Sequence, residues 1–391
     1  MISLAEVLER FGPLYLEHGH RLSVPQARAW RAIQACRTEA LGGQLERCAD
    51  CGSERWRWHS CRNRHCPRCQ KRATDAWRRA RMAELIDVPY AHLVFTVPHE
   101  LNALATVHRR WVIETLFACA SHSLNAFARN PRWMGGVPAV TLVLHTWTQD
   151  LRLHLHVHAL VACGALAENG AWIQPKRSER FLFPVHALSK VFAGKFRAAL
   201  LNAQDTGQLP RDPAGTPRER AARLTKLRQT PWVVYAKAAM AGPAAVLDYL
   251  ARYTHRTAIG HERLLGIRGE NVLVRVRGEN GGKRVTTIPG ERFVGRFLQH
   301  VLPRGLKRIR HYGLLAPGHK RNRLRQARAA LSMPAPNPVA EECAAQFMRR
   351  VARIEISRCP KCSGTLEVVG LRAGTAAMHR SDVPTPMARG P

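Results

Sequence analysis

The sequence predicts a mixed α/β fold, in which a mainly antiparallel sheet has helices on one side and follows a small amino-terminal domain. Short β-rich runs alternate with helical segments along most of the chain, a pattern typical of this fold class. A polar stretch at 148–151 separates two of these runs and suits a tight turn, which predicts a hairpin and therefore antiparallel pairing. Closely spaced cysteine pairs upstream of the runs indicate the separate small domain.

Each element is predicted from its local residue pattern. Pro98 ends the first buried strand because proline cannot continue a hydrogen-bonded ladder. Gly281 and Gly282 supply a turn between the last two strands. The predicted strands are 91–97, 140–147, 153–161, 231–237, 271–277 and 283–288. The predicted helical regions are 1–45, 74–86, 101–129, 187–201, 218–228, 244–256 and 291–301.

The composition indicates a polyanionic partner. The 391 residues contain 61 Lys plus Arg against 28 Asp plus Glu, a formal charge of +33, and nucleic acid is the expected partner. No apolar run approaches the roughly 20 residues of a membrane-spanning helix. The start of the chain does not resemble a signal peptide, so we expect a cytoplasmic, nucleoid-associated protein that binds no membrane.

The cysteines predict structural zinc. There are 11 of them, and two Cys-x-x-Cys pairs, Cys48 with Cys51 and Cys66 with Cys69, have the spacing of a zinc ribbon. We therefore predict one ion bound by these four thiolates. Cys61 and His65 are ligands of second rank, which with Cys36 or His59 could build a second site or simply pack. Cys359 and Cys362 form a further half-site whose partners the sequence does not identify.

These patterns suggest three domains. Residues 1–87 would form the helical and zinc-binding domain, and 88–330 would form the sheet domain, with a polar surface insertion near 203–230. Residues 331–391 are rich in Pro and Ala at their start and are predicted to be a linker and a weakly ordered tail. Arg62 and Arg64, beside the cysteine pairs, could contact a phosphate backbone or could equally form a solvated rim.

A metal-binding face is predicted on the strand at 153–161. His154, His156 and His158 alternate with aliphatic residues, so a strand presents all three imidazoles on one side. If residues 149–150 form the hairpin loop, His145 pairs with His154 and adds a fourth imidazole to that face. The alternative is an ordinary strand with solvated histidines, but the accumulation of imidazoles favours a metal site.

Two tyrosines lie four residues apart in the predicted helix at 244–256. Tyr249 and Tyr253 would project from one helical face, which suits either a buried core stripe or a pair of nucleophiles. Nearby cationic side chains favour the second interpretation because they could hold a phosphodiester: Arg252, His255 and Arg256.

The chain resembles the rolling-circle transposases of the insertion-sequence ninety-one family over most of its length. The resemblance rests on motifs in the same order and at about the same spacing: Ser60-Cys-Arg-Asn-Arg-His-Cys-Pro-Arg-Cys-Gln70, Val94-Phe-Thr-Val-Pro-His99, Leu144-His-Thr-Trp147, His156-Val-His158 and Tyr249-Leu-Ala-Arg-Tyr-Thr-His-Arg256. One departure is Leu155, where the family has proline.

The resemblance implies a zinc-binding domain followed by an HUH nuclease, a fold named for its His-hydrophobe-His strand. It places His156 and His158 as ligands of a catalytic Mg²⁺ or Mn²⁺, and Tyr249 and Tyr253 as nucleophiles. The resemblance does not fix the third metal ligand, for which His145 and His154 are both candidates. The implied substrate is single-stranded or locally melted DNA at the element ends and the target. The oligomeric state stays open.

Two other functions are compatible with parts of the sequence. A transposase with a carboxylate triad would need acidic residues at strand ends, where this chain offers histidines. A non-catalytic zinc-ribbon protein that binds nucleic acid would explain the charge and the cysteines. It would leave the histidine face and the paired tyrosines without a role.

Overall fold

The computed structural model describes residues 2–176, 182–240, 258–278, 281–336 and 339–375. Its strands form one six-stranded and two three-stranded sheets, and every pairing is antiparallel. The predicted antiparallel α/β architecture is therefore confirmed.

The six-stranded sheet is the centre of the molecule. Its strands are β3 (Tyr90–Thr96), β4 (Val137–Trp147), β5 (Leu153–Leu166), β6 (Trp172–Ile173), β7 (Val234–Met240) and β11 (Ile309–Gly313). They run in the order β11-β4-β5-β3-β7, with the short β6 paired to the end of β5. Strands β4 and β5 are buried along most of their length, on both faces of the sheet.

Helices cover both faces of this sheet, so the prediction that they pack on one side is wrong. On one face Phe95, Val157 and Leu142 belong to the largest core, together with residues of α4 (Asn102–Val107), α5 (Arg109–Arg129) and α6 (Val185–Asp205). On the other face α9 (Lys320–Ala330) buries Leu324 and Ala327 against Leu160 and Ala162 at one end of β5. The sequence of α9 does not reveal this packing, because it is rich in arginine and contains few apolar residues. A further helix, α7 (Pro217–Gln229), lies in the predicted insertion.

A second body combines both halves of the chain. Its sheet contains β8 (Leu264–Arg268), β9 (Asn271–Arg277) and β10 (Lys283–Pro289), and its helices are α1 (Leu4–Glu17), α2 (Val24–Gln34) and α8 (Gly290–Leu298). Helix α1 starts at Ser3, whose hydroxyl accepts a hydrogen bond from the Glu6 amide in a capping box. Gly290 lets α8 approach Phe11 closely, because a Cβ there would lie 2.2 Å from the ring. Leu151, at the tip of the β4–β5 hairpin, is buried in the same core and joins this body to the central sheet.

The third sheet brings the two ends of the described chain together. Strand β1 (Gly42–Cys48) pairs with β2 (Glu54–Trp58) on one side and with β12 (Leu366–Ala373) on the other. The prediction of a weakly ordered tail is therefore wrong for β12. Its side chains are largely exposed, and its pairing partner lies more than 300 residues away in the sequence. No local pattern therefore reveals the pairing. Helices α3 (Gln70–Met82) and α10 (Ala344–Phe347) flank the connecting segments.

Candidate active site and cysteine clusters

Three imidazoles converge on one face of the central sheet. His145 comes from β4, and His156 and His158 come from β5. One ring nitrogen of each lies within 4.8 Å of the other two. Such an arrangement offers three ligands to one ion and leaves the side facing away from the sheet for substrate or water.

The register of the hairpin differs from the prediction. His145 lies opposite His156, whereas a two-residue loop would have placed it opposite His154. The first pair of the ladder is Trp147 opposite Leu153, so five residues connect the strands. The register then shifts by one residue, at a bulge between Trp147 and His145. The odd loop alone would have turned His145 to the apolar face. The extra residue at the bulge restores its place among the histidines.

His154 stands outside the cluster. Its ring lies 5.3 Å from the ring of His99 and 4.9 Å from that of His156. Of the two residues that the sequence offered as third ligand, the structure groups His145 with His156 and His158.

Hydrogen bonds orient the two β5 ligands. The Nδ1 atom of His156 lies 3.1 Å from the carbonyl oxygen of His154, so Nδ1–H donates there and Nε2 keeps a free lone pair. The Nδ1 atom of His158 lies 3.0 Å from Nε2 of His92. His92 was not predicted as a site residue, although its alternation with Val94 and Thr96 on β3 places it on the same face. A partner of this kind fixes the orientation of a metal-binding imidazole.

Burial keeps these imidazoles neutral. Desolvation lowers the pKa of His156 and of His158 to about 3, and that of His92 to about 4. A neutral imidazole is the form that binds a metal ion, so at neutral pH the cluster has its donor atoms available.

Two side chains on β7 face the same side of the sheet. Lys237 lies opposite His92, and Tyr235 lies opposite Val94, which in turn pairs with His158. The Tyr235 side chain is 52% exposed. The predicted nucleophiles Tyr249 and Tyr253, and the predicted DNA-binding residues Arg252, His255 and Arg256, lie outside the described residues.

The amino-terminal cysteines form a cluster that differs from the predicted one. Cys66 and Cys69 lie with Cys36 and Cys61, and the four sulfur atoms are within 4.8 Å of one another. Cys69 Sγ is 3.5 Å from Cys36 Sγ and 3.7 Å from Cys61 Sγ, close to the roughly 3.8 Å between sulfurs in a tetrahedral zinc site. These residues therefore fit a zinc ion.

The single site of Cys48, Cys51, Cys66 and Cys69 is accordingly wrong. Cys48 and Cys51 lie instead with Cys359 and Cys362. Spacing in the sequence reveals each Cys-x-x-Cys turn but not which two turns meet, because that depends on the tertiary fold.

The neighbouring residues have structural roles. His65, a second-rank ligand in the prediction, is buried and accepts a hydrogen bond from the Leu302 amide at 3.4 Å, so it is not a ligand of the cysteine cluster. Arg64 donates to the carbonyl oxygens of Leu306 at 2.8 Å and Pro303 at 3.2 Å, which joins the cysteine-rich segment to the chain before β11. Both arginines are exposed, but the Arg64 guanidinium makes these hydrogen bonds, so Arg62 is the better placed of the two predicted phosphate contacts.

Comparisons with known proteins agree with both parts of this description. Residues 7–97 match a family model described as "Transposase zinc-binding domain", and residues 139–323 match one described as "Putative transposase". The protein "Putative transposase y4qJ" of Sinorhizobium fredii is 38% identical over 369 residues, covering 92% of each chain. The chain belongs to the transposases of the insertion-sequence ninety-one family.

A second relative supports this membership. The transposase for insertion sequence element IS801 of Pseudomonas savastanoi pv. phaseolicola is 27% identical over 340 residues, which is 85% of this chain and 80% of that protein. No solved structure matches the chain. Among the described residues of this transposase, none of the helices has the length and apolar character needed to cross a membrane.

Membership gives the two kinds of cluster their context. The cluster of Cys36, Cys61, Cys66 and Cys69 lies entirely within the range that matches the zinc-binding domain, which supports structural zinc. The three histidines lie within the range that matches the second transposase model.

Proposed function

We propose that this transposase cleaves and rejoins single-stranded DNA in the cytoplasm through a 5′-phosphotyrosine intermediate, as rolling-circle movement of an insertion sequence requires. The observation that carries the proposal is the cluster of His145, His156 and His158 on the two central strands of an antiparallel sheet. Within the described residues, the groups of side chains able to hold a metal contain cysteine and histidine but no carboxylate. This speaks against the carboxylate-triad alternative.

The donor set fits a divalent transition-metal ion with open coordination positions. When bound, such an ion would polarise the scissile phosphate and stabilise the charge that develops on it. Because all three donors are imidazole nitrogens, we expect Mn²⁺ to bind more tightly than Mg²⁺. His92 keeps the His158 ring oriented, and burial keeps His156 and His158 neutral.

The chemistry requires a tyrosine nucleophile. A phenol with a pKa near 10 is only about 0.1% ionised at pH 7, a deficit of about 4 kcal/mol relative to the phenolate. After losing its proton, the tyrosine oxygen forms a bond to phosphorus and the bond from phosphorus to the 3′ oxygen breaks. That oxygen takes up a proton and becomes a free 3′-hydroxyl. Rejoining reverses these steps with the 3′-hydroxyl of a second strand, so no external energy source is needed.

The surroundings of the other tyrosines limit the candidates for this role. Tyr90 is buried, and Tyr15 is stacked on His20 in the second body, 4.2 Å between ring centroids. Tyr312 packs against the main core. We assign the nucleophiles to Tyr249 and Tyr253, with Tyr235 as the described tyrosine that an experiment must exclude.

A stacked pair of tryptophans supports binding of single strands. Trp56 and Trp58 of β2 lie 4.9 Å apart with ring planes 1° from parallel, and the Arg372 guanidinium lies 5.9 Å from the Trp58 ring. Trp56 ends this stack and is 40% exposed, so a nucleobase can continue it. With the surplus of basic residues, this surface would hold unpaired bases without reading their sequence.

Cleavage of a labelled single strand tests the proposal. We expect the protein to be joined covalently to the new 5′ end, and the other fragment to carry a free 3′-hydroxyl that a polymerase extends. Hydrolytic ends on both fragments would favour carboxylate-type chemistry. Binding without any break would favour the non-catalytic alternative.

A further inference from the structure

The second cysteine cluster joins residues from opposite ends of the chain. Cys48 is the last residue of β1 and Cys51 lies in the turn that follows it, whereas Cys359 and Cys362 lie in a turn just before β12. Cys48 Sγ is 3.4 Å from Cys362 Sγ, and Cys51 Sγ is 3.7 Å from Cys359 Sγ. All four sulfur atoms lie within 4.8 Å of one another. Cys359 and Cys362 lie outside both ranges that match the transposase families.

The two turns have the same backbone structure. The amide of Cys48 donates to the carbonyl of Ser53 at 3.0 Å, and the amide of Cys359 donates to the carbonyl of Gly364 at 2.8 Å. The carbonyl oxygens of Cys48 and Cys359 each accept a hydrogen bond from the residue four positions later, at 3.0 and 2.9 Å.

The turns also share a left-handed residue at that fourth position. It is Gly52 in the first turn, with φ 65°, and Ser363 in the second, with φ 64°. A positive φ is uncommon for serine, so its presence at the matching position indicates that the turn itself is required. Two knuckles of one geometry, facing each other through their cysteines, are the arrangement of a zinc ribbon.

The sulfur spacing selects among possible uses of the four thiols. A tetrahedral site with zinc–sulfur bonds of about 2.3 Å separates its sulfurs by roughly 3.8 Å. A disulfide would require about 2.0 Å, and all four cysteines are free. The observed distances of 3.4 and 3.7 Å therefore match a metal site.

We propose that Cys48, Cys51, Cys359 and Cys362 bind a second structural zinc ion, which fastens the carboxy-terminal segment to the amino-terminal domain. None of the residues of β12 is buried, and Val368, Val369 and Leu371 are exposed, so its apolar contacts alone provide little attachment. The ion closes a loop of about 300 residues and holds β12 in register with β1. That register places Arg372 beside Trp58, so the second zinc also completes the tryptophan surface.

Metal content of the full chain, purified without added zinc, tests this proposal directly. We expect the double variant Cys359→Ser, Cys362→Ser to hold one zinc ion per chain fewer than the wild type. Cys343→Ser, which replaces an exposed cysteine outside both clusters, should hold as many as the wild type. Equal zinc content in the wild type and the double variant would overturn the proposal.

Hydrogen exchange provides a second measurement that does not depend on metal counting. In the double variant, amide exchange should accelerate in β1 and β12 and stay unchanged in β4 and β5 of the central sheet. This pattern would distinguish the detachment of β12 from β1 from a general unfolding of the protein. Unchanged protection of β12 in the double variant would contradict a zinc-dependent attachment.

Discussion

His145 lies directly opposite His156 across the β4–β5 ladder, and the two rings are 5.3 Å apart with planes inclined by 73°. The His158 ring lies 4.4 Å from that of His145 on the same face. Because β4 and β5 are the central strands of the sheet, this geometry is held by pairing on both sides. A site built on such rigid elements is preorganised for an ion and needs little rearrangement to bind it.

The first prediction concerns the third ligand. Replacing His145 or His156 by alanine should abolish tight Mn²⁺ binding and lower strand cleavage more than about 100-fold, since loss of an outer-shell partner alone costs 10- to 100-fold. Calorimetry with Mn²⁺ and a cleavage assay provide the two measurements.

His154→Ala is the matched control for this prediction, since it removes an imidazole from the same strand and face but outside the cluster. We expect it to change cleavage less than about tenfold, below the loss for a ligand. If His154→Ala were as damaging as His156→Ala while His145→Ala remained active, the assignment of His145 would be wrong.

The second prediction concerns the tryptophan stack. Trp56→Ala should weaken binding to single-stranded DNA by about 1 to 3 kcal/mol, the contribution of one stacked base. Fluorescence anisotropy with a short oligonucleotide measures the change.

Leu371→Ala is the control for the stack. Leu371 is exposed on β12 and lies opposite Gln44, which pairs with Arg57, so it occupies the other face of the same sheet. Its replacement should leave affinity unchanged. Equal losses in both variants would mean that the sheet as a whole, and not the stack, contributes to binding.

The third prediction follows from a fully buried histidine. His300 bridges the Thr146 hydroxyl and the Leu151 carbonyl oxygen at 3.0 Å each, and desolvation lowers its pKa to about 3. The unfolded chain takes up a proton at this residue below pH 6.5, whereas the folded chain does so only near pH 3. The folded state therefore loses about 1.4 kcal/mol per pH unit through this group as the pH falls between these values.

A His300→Gln variant removes this titration. It should be less stable than the wild type at pH 7, by about 1 to 3 kcal/mol for the altered buried hydrogen bonds. The difference in the free energy of unfolding should narrow as the pH falls from 6.5 to 5, because only the wild type loses stability by keeping a neutral imidazole. Urea unfolding at several pH values measures the difference, and parallel stability curves would refute the buried neutral state.

Local patterns were sufficient to predict the central sheet and its histidine face. Alternation along 153–161 determines which side chains share a face, and a hairpin preserves that relation even though its register differs. The bulge beside His145 could not be predicted, because the alternation of residues along the two strands does not mark an inserted residue. The pairing of cysteine turns and the position of β12 were also inaccessible, since each depends on contacts across more than 300 residues.

The proposed reaction joins the protein covalently to single-stranded DNA through Tyr249 or Tyr253. The matched control is Tyr235→Phe, which removes a hydroxyl from the same face of the sheet as the histidines. Replacing tyrosine by phenylalanine keeps the ring and removes only the nucleophile, so a merely structural role predicts little effect.

The most direct measurement incubates each variant with Mn²⁺ and labelled single strands from the ends of its own element, followed by a denaturing gel and mass spectrometry of the labelled peptide. We predict an adduct on a peptide that contains Tyr249 or Tyr253 in the wild type and in Tyr235→Phe, and no adduct in the double variant Tyr249→Phe, Tyr253→Phe. A double variant that keeps its zinc and still becomes covalently attached, or a wild-type adduct on Tyr235, would contradict the account.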